Sequence, residues 1–354
     1  MSWQTEYPRR VPARRPEGHT PRAPRWTLSF DEPTSLLTSD YLAIQVDSME
    51  AAGVEEFLAA ARASWGQDHA PESYELLAFV DAQGALNLVS LGYWRDATEH
   101  ARWCLTADLP RWFAGLEPRT LSFGMWHEVI QVPMDRFETI YSDPARPFGM
   151  AGCPGTERVP MTTNGYFGAA RDRFPVSAID RLEAPTPHRR REPLAPSRGR
   201  RLRAESGHNA IAIRSGQYWE ESEGDQLVDY EENLQSKLMT GMRFLQEHAD
   251  QQGVMSLRIM TSLDVETLRP RRETSVLGHF AEMELLERWA EGHETHAAIY
   301  EHAIEKKREY GDERSVVTWH EVFAMVASTA YEYVNCHEET GILPYAVSVS
   351  SVEP

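Results

Sequence analysis

The tetrapeptide Trp-His-Glu-Val occurs twice, at Trp126–Val129 and at Trp319–Val322. An internal repeat limits a chain to folds built from like units, so its extent matters before anything else. The match extends outward. Leu91-Gly92-Tyr93-Trp94 is answered by Leu277-Gly278-His279-Phe280, and Arg102-Trp103 by Arg288-Trp289, each 186 residues further on. The two WHEV copies stand 193 residues apart, so the second copy has gained seven residues between Trp289 and Trp319. Just downstream, Phe137-Glu138 is answered by Tyr331-Glu332. The matches keep one order, which points to duplication of a whole structural unit.

Each copy reads alike. In the first, Tyr41–Val46 is a short apolar strand, and Val54, Phe57, Leu58, Ala61 and Trp65 mark one face of a helix. Tyr74–Val80 and Leu86–Trp94 follow as strands, split by the turn residues Asp81–Gly84. The segment from Asp96 to Trp103 is helical, with Asp96 as N-cap, and Leu121–Val132 is a long strand. That order, β-α-β-β-α-β, is the ferredoxin-like one. The second copy repeats it with Asn209–Gly216, a helix carrying Leu234, Leu238, Met242 and Leu245, the strands Val254–Met260 and Thr274–Phe280, a longer helical region from Glu282, and the strand Ser315–Val326. The expected fold is α+β: two duplicated ferredoxin-like halves, residues 30–145 and 206–354, packed sheet against sheet. Residues 146–205 belong to neither copy and read as a connecting insertion, and 1–29 as a loose Arg/Pro-rich arm.

Charge and cysteine usage narrow the function. A formal charge of −18 argues against nucleic acid, because a phosphate-binding surface needs positive potential. The one basic cluster, His188–Arg191 with Arg198, Arg200, Arg201 and Arg203, lies among prolines and reads as a solvated linker. No apolar run approaches the roughly 20 residues of a membrane helix, and no apolar stretch follows the N-terminal arginines as in a secretory signal. Cys104, Cys153 and Cys336 lie far apart with no C-x-x-C. Such usage suits a reducing cytoplasm and speaks against a disulfide framework or a structural zinc site.

The two WHEV histidines raise the question of chemistry. On a strand, alternate side chains share a face, so His320 lies with Val316, Thr318 and Val322, while Trp319, Glu321 and Phe323 point the other way. Glu321 is therefore not the partner of His320, nor Glu128 of His127. A strand histidine among apolar neighbours is usually a hydrogen-bonded core residue, and His127 is read so. The extended helical region of copy two adds WAEGHETHAAIYEHAI at 289–304, where copy one has no histidine. Leu286, Trp289, His293, His296, Tyr300 and Ala303 share a stripe at helical spacing, with a break at Gly292 that favours His296 over His293. His293-x-x-His296 is not the i, i+4 pair of a zinc protease. Haem with one axial imidazole in an apolar pocket fits better, with Cys153-Pro154 as the thiolate alternative.

Five segments in order, GYFGAARDRFPVS, NAIAIRSGQYW, LLERWAEGHETHAAIY, WHEV and YVNCHEETGILP, resemble the haem-containing aldoxime dehydratases. The resemblance runs from about residue 30 to the end. It implies a ferredoxin-like α/β barrel, a haem b that is ferrous in the active state, and conversion of an aldoxime, R-CH=N-OH, to a nitrile and water. By motif, it implies His296 as the axial ligand of the haem iron and His320 as distal general acid and base. It also implies Ser215 and Arg173 as groups holding the substrate hydroxyl, and Glu138 as an assisting carboxylate. Glu294 departs from the proline common at that place in relatives. The expected partners are a small aldoxime and, at most, a second copy as a homodimer; the expected location is the cytoplasm.

The residue types suit that chemistry. Hydroxide is a poor leaving group unless protonated, and imidazole can give and take a proton near neutral pH. Two other readings remain: a peroxidase on the same barrel, and a non-catalytic haem sensor or carrier. The chain has no Asp-Gly and hence no GxxDG motif of the dye-decolorising peroxidases. A carrier leaves Ser215, Arg173, Glu138 and His320 without a common purpose.

Overall fold

A computed structural model describes residues 7–327 and 329–352. Among them the first copy comprises β2 (Leu36–Val46), α1 (Val54–Ser64), β3 (Ser73–Val80), β4 (Leu86–Trp94), α2 (Ala97–Thr106), α3 (Asp108–Ala114) and β5 (Gly124–Pro133), preceded by β1 (Arg25–Phe30) and followed by β6 (Phe137–Tyr141). Next come β7 (Thr156–Met161), α4 (Ala169–Arg173) and β8 (Arg201–Glu205). The second copy comprises β9 (Ile211–Tyr218), α5 (Gly224–Asp229), α6 (Gln235–Glu247), α7 (Ala249–Gln252), β10 (Val254–Leu263), β11 (Pro270–Phe280), α8 (Met283–Gly292), α9 (Glu294–Tyr310) and β12 (Val317–Ala324); β13 (Ala330–Val334) and β14 (Ser348–Ser351) end the chain. None of these helices is long and apolar enough to cross a membrane.

Local chemistry sets these elements. Val54, Phe57, Leu58 and Ala61 repeat at helical spacing and are the buried face of α1. Asp96 caps α2, its carboxylate accepting from the Thr98 amide at 2.7 Å. The β3–β4 hairpin turns at Gly84, with φ +85°, while the Asp81 carboxylate accepts from the amides of Gln83 and Ala85.

All strands join one antiparallel sheet in the order β14-β8-β13-β5-β2-β4-β3-β10-β11-β9-β12-β6-β1-β7. The expected closed barrel is not formed: β7 and β14 are free ends. The halves meet edge to edge, β3 on β10, through the pairs Leu76↔Leu263, Leu77↔Ser262 and Ala78↔Thr261. Their far edges are occupied by added strands, including β7 and β8 from the 146–205 segment, so no edge is left to close the ring. Two strands are exchanged. β6, which follows the first copy, pairs with β12 of the second, and β13, which follows the second, pairs with β5 of the first. The expected loose arm is also docked from Tyr7 on. The amides of Arg10 and Val11 donate to the Ala178 carbonyl, the Asp172 carboxylate takes the Arg14 and Arg15 amides, and Arg25–Phe30 is already strand.

One face of the sheet carries the helices. On the other, Tyr41, Tyr93 and Trp126 of the first copy share a core with Met260, Leu277 and Trp319 of the second, so the halves face each other across it. Both WHEV glutamates point into this core, as strand alternation requires. Glu128 is held by both terminal nitrogens of Arg258, at 2.6 and 2.5 Å, and by the Tyr333 hydroxyl at 2.7 Å. Glu321 instead accepts from the Tyr93 hydroxyl and the Met150 amide. Gly149, at φ +59°, lets the backbone pass where a Cβ would strike that carboxylate.

Burial pushes the Glu321 carboxyl up from an ordinary 4.5 to about 7, and Arg214 and Tyr93 only partly oppose it. In this window the folded chain holds a proton that the unfolded chain has lost. Stability from this group is therefore full below about pH 4.5 and falls as pH rises toward 7, by on the order of 3 kcal/mol. Glu321→Gln keeps the shape without the charge. Urea midpoints of the variant should lack this group's decline between those values; parallel pH curves for variant and parent would show that Glu321 is ionised at its ordinary value.

Candidate functional site

The helix-bearing face differs between the copies. In the first, Leu42, Ile44 and Leu88 are wholly buried and pack in one cluster with Phe57, Leu58 and Phe113. In the second, Ile213, Ser215, Leu257, Ile259, Thr318 and His320 all keep partial exposure although α6 and α8 pack on that half, with α9 packed on those two helices. The register makes the comparison direct: His127 stands opposite Leu42, and His320 opposite Ser215. A wholly buried leucine in one copy is a partly exposed serine in the other.

His296 enters from the helical side, two residues into α9. The helix break predicted at Gly292 falls there, between α8 and α9. His293 caps α9, its Nδ1 accepting from the Thr295 amide at 3.3 Å, and stacks on Phe244 with ring centroids 3.7 Å apart. His296 instead sets its ring edge-on to Trp289 at 4.9 Å. Burial lowers its pKa, the Ala290 backbone offsets part of that, and the nearby His320 lowers it further, so the ring is neutral at pH 7.

On the strand side, His320, Glu138 and Arg173 are brought together. Glu138 comes from the exchanged strand β6, and Arg173 is the last residue of α4. Arg173 Nε and Nη2 lie 2.5 and 3.2 Å from the two Glu138 oxygens, and Nη1 donates to the Thr163 carbonyl at 3.1 Å. Nη2 also reaches His320 Nε2 at 2.9 Å, and Glu138 Oε1 lies 3.2 Å from that same nitrogen. Burial by itself raises the Glu138 pKa, but Arg173 and then His320 reverse this, leaving the carboxyl below its ordinary range. The Ser215 hydroxyl has no hydrogen-bond partner among the described residues.

The residues present suit a haem: the His296 imidazole could hold it, and across the strands the apolar Ile213, Leu257 and Ile259 are only partly buried, with the polar Ser215 and His320 among them. A separate cavity of about 590 Å³ lies behind Glu138 and Arg173, beneath Tyr7 and Arg9 of the arm; His296, His320 and Ser215 do not line it. Cys153 is buried with its sulfur 3.7 Å from Met150, on the sheet's other face, so it is not placed as a ligand here.

The sequence profile of the haem-containing dehydratases matches residues 41–342. The chain belongs to that family. As a haem-containing dehydratase it is a lyase with haem as its cofactor. Its relatives include an aliphatic aldoxime dehydratase of Pseudomonas chlororaphis, 31% identical with 96% of each chain covered. Another is a phenylacetaldoxime dehydratase of Bacillus sp. (strain OxB-1), 29% identical with the same coverage. Two crystal structures share the dehydratase fold. An aldoxime dehydratase superposes at TM-score 0.86, 29% identical, over 97% of both chains. One crystallised with butyraldoxime superposes at 0.87, 27% identical, over 97% of this chain and 94% of the other.

Two features of the site were not carried by the pattern of residues: the route by which Glu138, the assisting carboxylate that the resemblance implied, reaches His320, and the surroundings of His127. The coupling of Glu138 to His320 depends on the strand exchange, for which WHEV carries no signal. The His127 environment was not legible either: its Nε2 is taken by Asp40, 2.9 Å from both carboxylate oxygens, with Phe113 edge-on at 5.3 Å.

Proposed function

We propose that this dehydratase converts aldoximes to nitriles and water, with His320 as the proton carrier. The observation that carries the reading is the pair of contacts on one nitrogen. An arginine can only donate, so the Arg173 contact belongs to a neutral His320 whose Nε2 accepts. A carboxylate can only accept, so the Glu138 contact belongs to a protonated Nε2. Both protonation states thus have a partner in place, which is what alternating acid and base catalysis requires.

His296 would hold the haem, which when bound supplies an iron for the oxime nitrogen and the electron density that weakens N–O. The chain supplies the proton path. Protonated His320 gives its Nε2 proton to the departing hydroxyl, so that water leaves, and the neutral ring then takes the C–H proton. R-CH=N-OH becomes R-CN and H₂O with no net electron. While His320 is protonated, Arg173 Nη2 cannot bond to it and is free to donate to the substrate oxygen. The unpartnered Ser215 hydroxyl is the second donor, and together they orient the leaving group. His127 takes no part.

We further propose that residues 30–145 and 206–354 are duplicated ferredoxin-like halves joined by the 146–205 segment. In support, β5-β2-β4-β3 and β12-β9-β11-β10 run in the same relative order, with equivalent register at the two histidines. Three free thiols favour a reducing cytoplasm.

Electron counting tests the reaction. Substoichiometric dithionite, added anaerobically with an aldoxime, should give many nitriles per electron, because reduction activates the enzyme and is not consumed. A fixed ratio near one, or faster nitrile formation by the ferric enzyme with peroxide, would overturn the lyase reading in favour of a peroxidase. Ligand-dependent spectra without nitrile in either state would leave a carrier.

A further inference from the structure

The first copy of WHEV sits in its own cluster of chemically active side chains. On the helix-bearing face, Asp40 of β2 lies beside His100 and Cys104 of α2 and His127 of β5. One ligand atom each from Asp40, His100 and Cys104 lie within 4.8 Å of one another. His100 Nε2 is 2.7 Å from Asp40 Oδ2, and Cys104 Sγ is 3.4 Å from His100 Nε2. His127 Nε2 faces both oxygens of the same carboxylate at 2.9 Å. The carboxylate is 1% exposed. A shell of Trp94, Trp103 and Phe113 surrounds the imidazoles.

We propose that Asp40, His100 and Cys104 bind a zinc-class divalent cation, with His127 orienting the carboxylate through a hydrogen bond shared by its two oxygens. The donor set of carboxylate, imidazole and thiol is one zinc accepts, and neighbouring donors in a tetrahedral zinc sphere stand about 3.3–3.7 Å apart. The sulfur–nitrogen distance is already in that range. The Asp40–His100 distance needs to open by only about half an ångström for a metal to enter. His100 and Cys104 are four residues apart on α2, the spacing that turns two side chains toward one point. His127 Nε2 spans both oxygens of that carboxylate at 2.9 Å, and ligating carboxylates are commonly hydrogen-bonded in turn by an outer partner.

The repeat sharpens the assignment. By the 186-residue offset, His100 corresponds to Leu286 and Cys104 to Ala290, and by strand register Asp40 corresponds to Ile213. The second copy has apolar residues at each of these places, beside the space assigned to haem. The donors therefore do not follow from the duplicated framework. The expectation against zinc rested on cysteine spacing along the chain, whereas this set assembles from β2 and α2 in space. On binding, His100 shifts to the tautomer with its proton on Nδ1, freeing Nε2 for the metal, and Cys104 loses its thiol proton, which burial otherwise holds in place, to solvent.

The test uses haem-loaded enzyme, dialysed first against EDTA and then against micromolar ZnCl₂, with zinc and haem iron counted by mass spectrometry. One zinc per chain is expected. Cys104→Ala and His100→Asn should lose it, and His127→Asn should weaken it ~10–100-fold, all with haem content unchanged. Zinc-edge X-ray absorption of the parent should show one sulfur among light-atom ligands, which keeps the proposal testable should a variant not fold. No zinc retained by the parent, zinc without a sulfur neighbour, or zinc unaffected by Cys104→Ala would each leave a hydrogen-bonded core cluster and overturn the proposal.

Discussion

His320→Ala should retain haem and still bind aldoxime, yet lose ~10²–10⁴-fold in nitrile formation, the usual cost of removing a general acid–base group. His127→Ala should stay close to the parent in turnover. Both histidines occupy the same register on duplicated strands, so the contrast tests surroundings rather than position. His320 has Arg173 and Glu138 at its Nε2 and an unpartnered serine opposite. His127 is committed to a buried aspartate and faces a packed leucine. Single-turnover nitrile formation with the haem spectrum followed in parallel separates binding from chemistry. Comparable losses in both variants, with folding intact, would sink the idea of one catalytic copy.

His296→Ala should purify with well under one haem per chain. Among the described residues, no other imidazole shares its placement on the helical side facing His320: His293 is spent on capping α9 and stacking on Phe244, and His302 bonds to Asp229 at 2.9 Å. Haem absorbance per protein reads the loss directly, and added imidazole should restore part of it by occupying the vacated volume. Full haem with an unaltered spectrum would remove His296 from the site and direct attention to His293.

How much of this was legible in the sequence varies by element. The repeat and its strand–helix order could be read because apolar spacing and turn residues are local signals: Asp96 caps its helix and Gly84 turns its hairpin where the residues indicate. Alternation likewise separated His320 from Glu321. Sheet closure could not be read. Whether two halves form a ring or one open sheet depends on which edges find partners, and here distant segments such as Thr156–Met161 and Arg201–Glu205 take the far ends. Pairings across the sheet were equally silent. Asp40 sits among strand residues with nothing nearby to announce two imidazoles, and Glu138 reaches His320 only through a ladder between copies.

The exchange of β6 and β13 has a consequence for biosynthesis. When the ribosome has delivered the first copy, the edge of β5, which carries WHEVIQV, has no neighbour until Ala330–Val334 is made. An apolar strand edge left open that long is a site for wrong pairing between nascent chains. β6 waits in the same way for β12. His320 on β12 and His296 on α9 are both made late, so in the proposed roles they let haem be captured only by a nearly finished chain. Neither half released by a nick or a stop codon could then assemble the His320–Glu138 pair by itself.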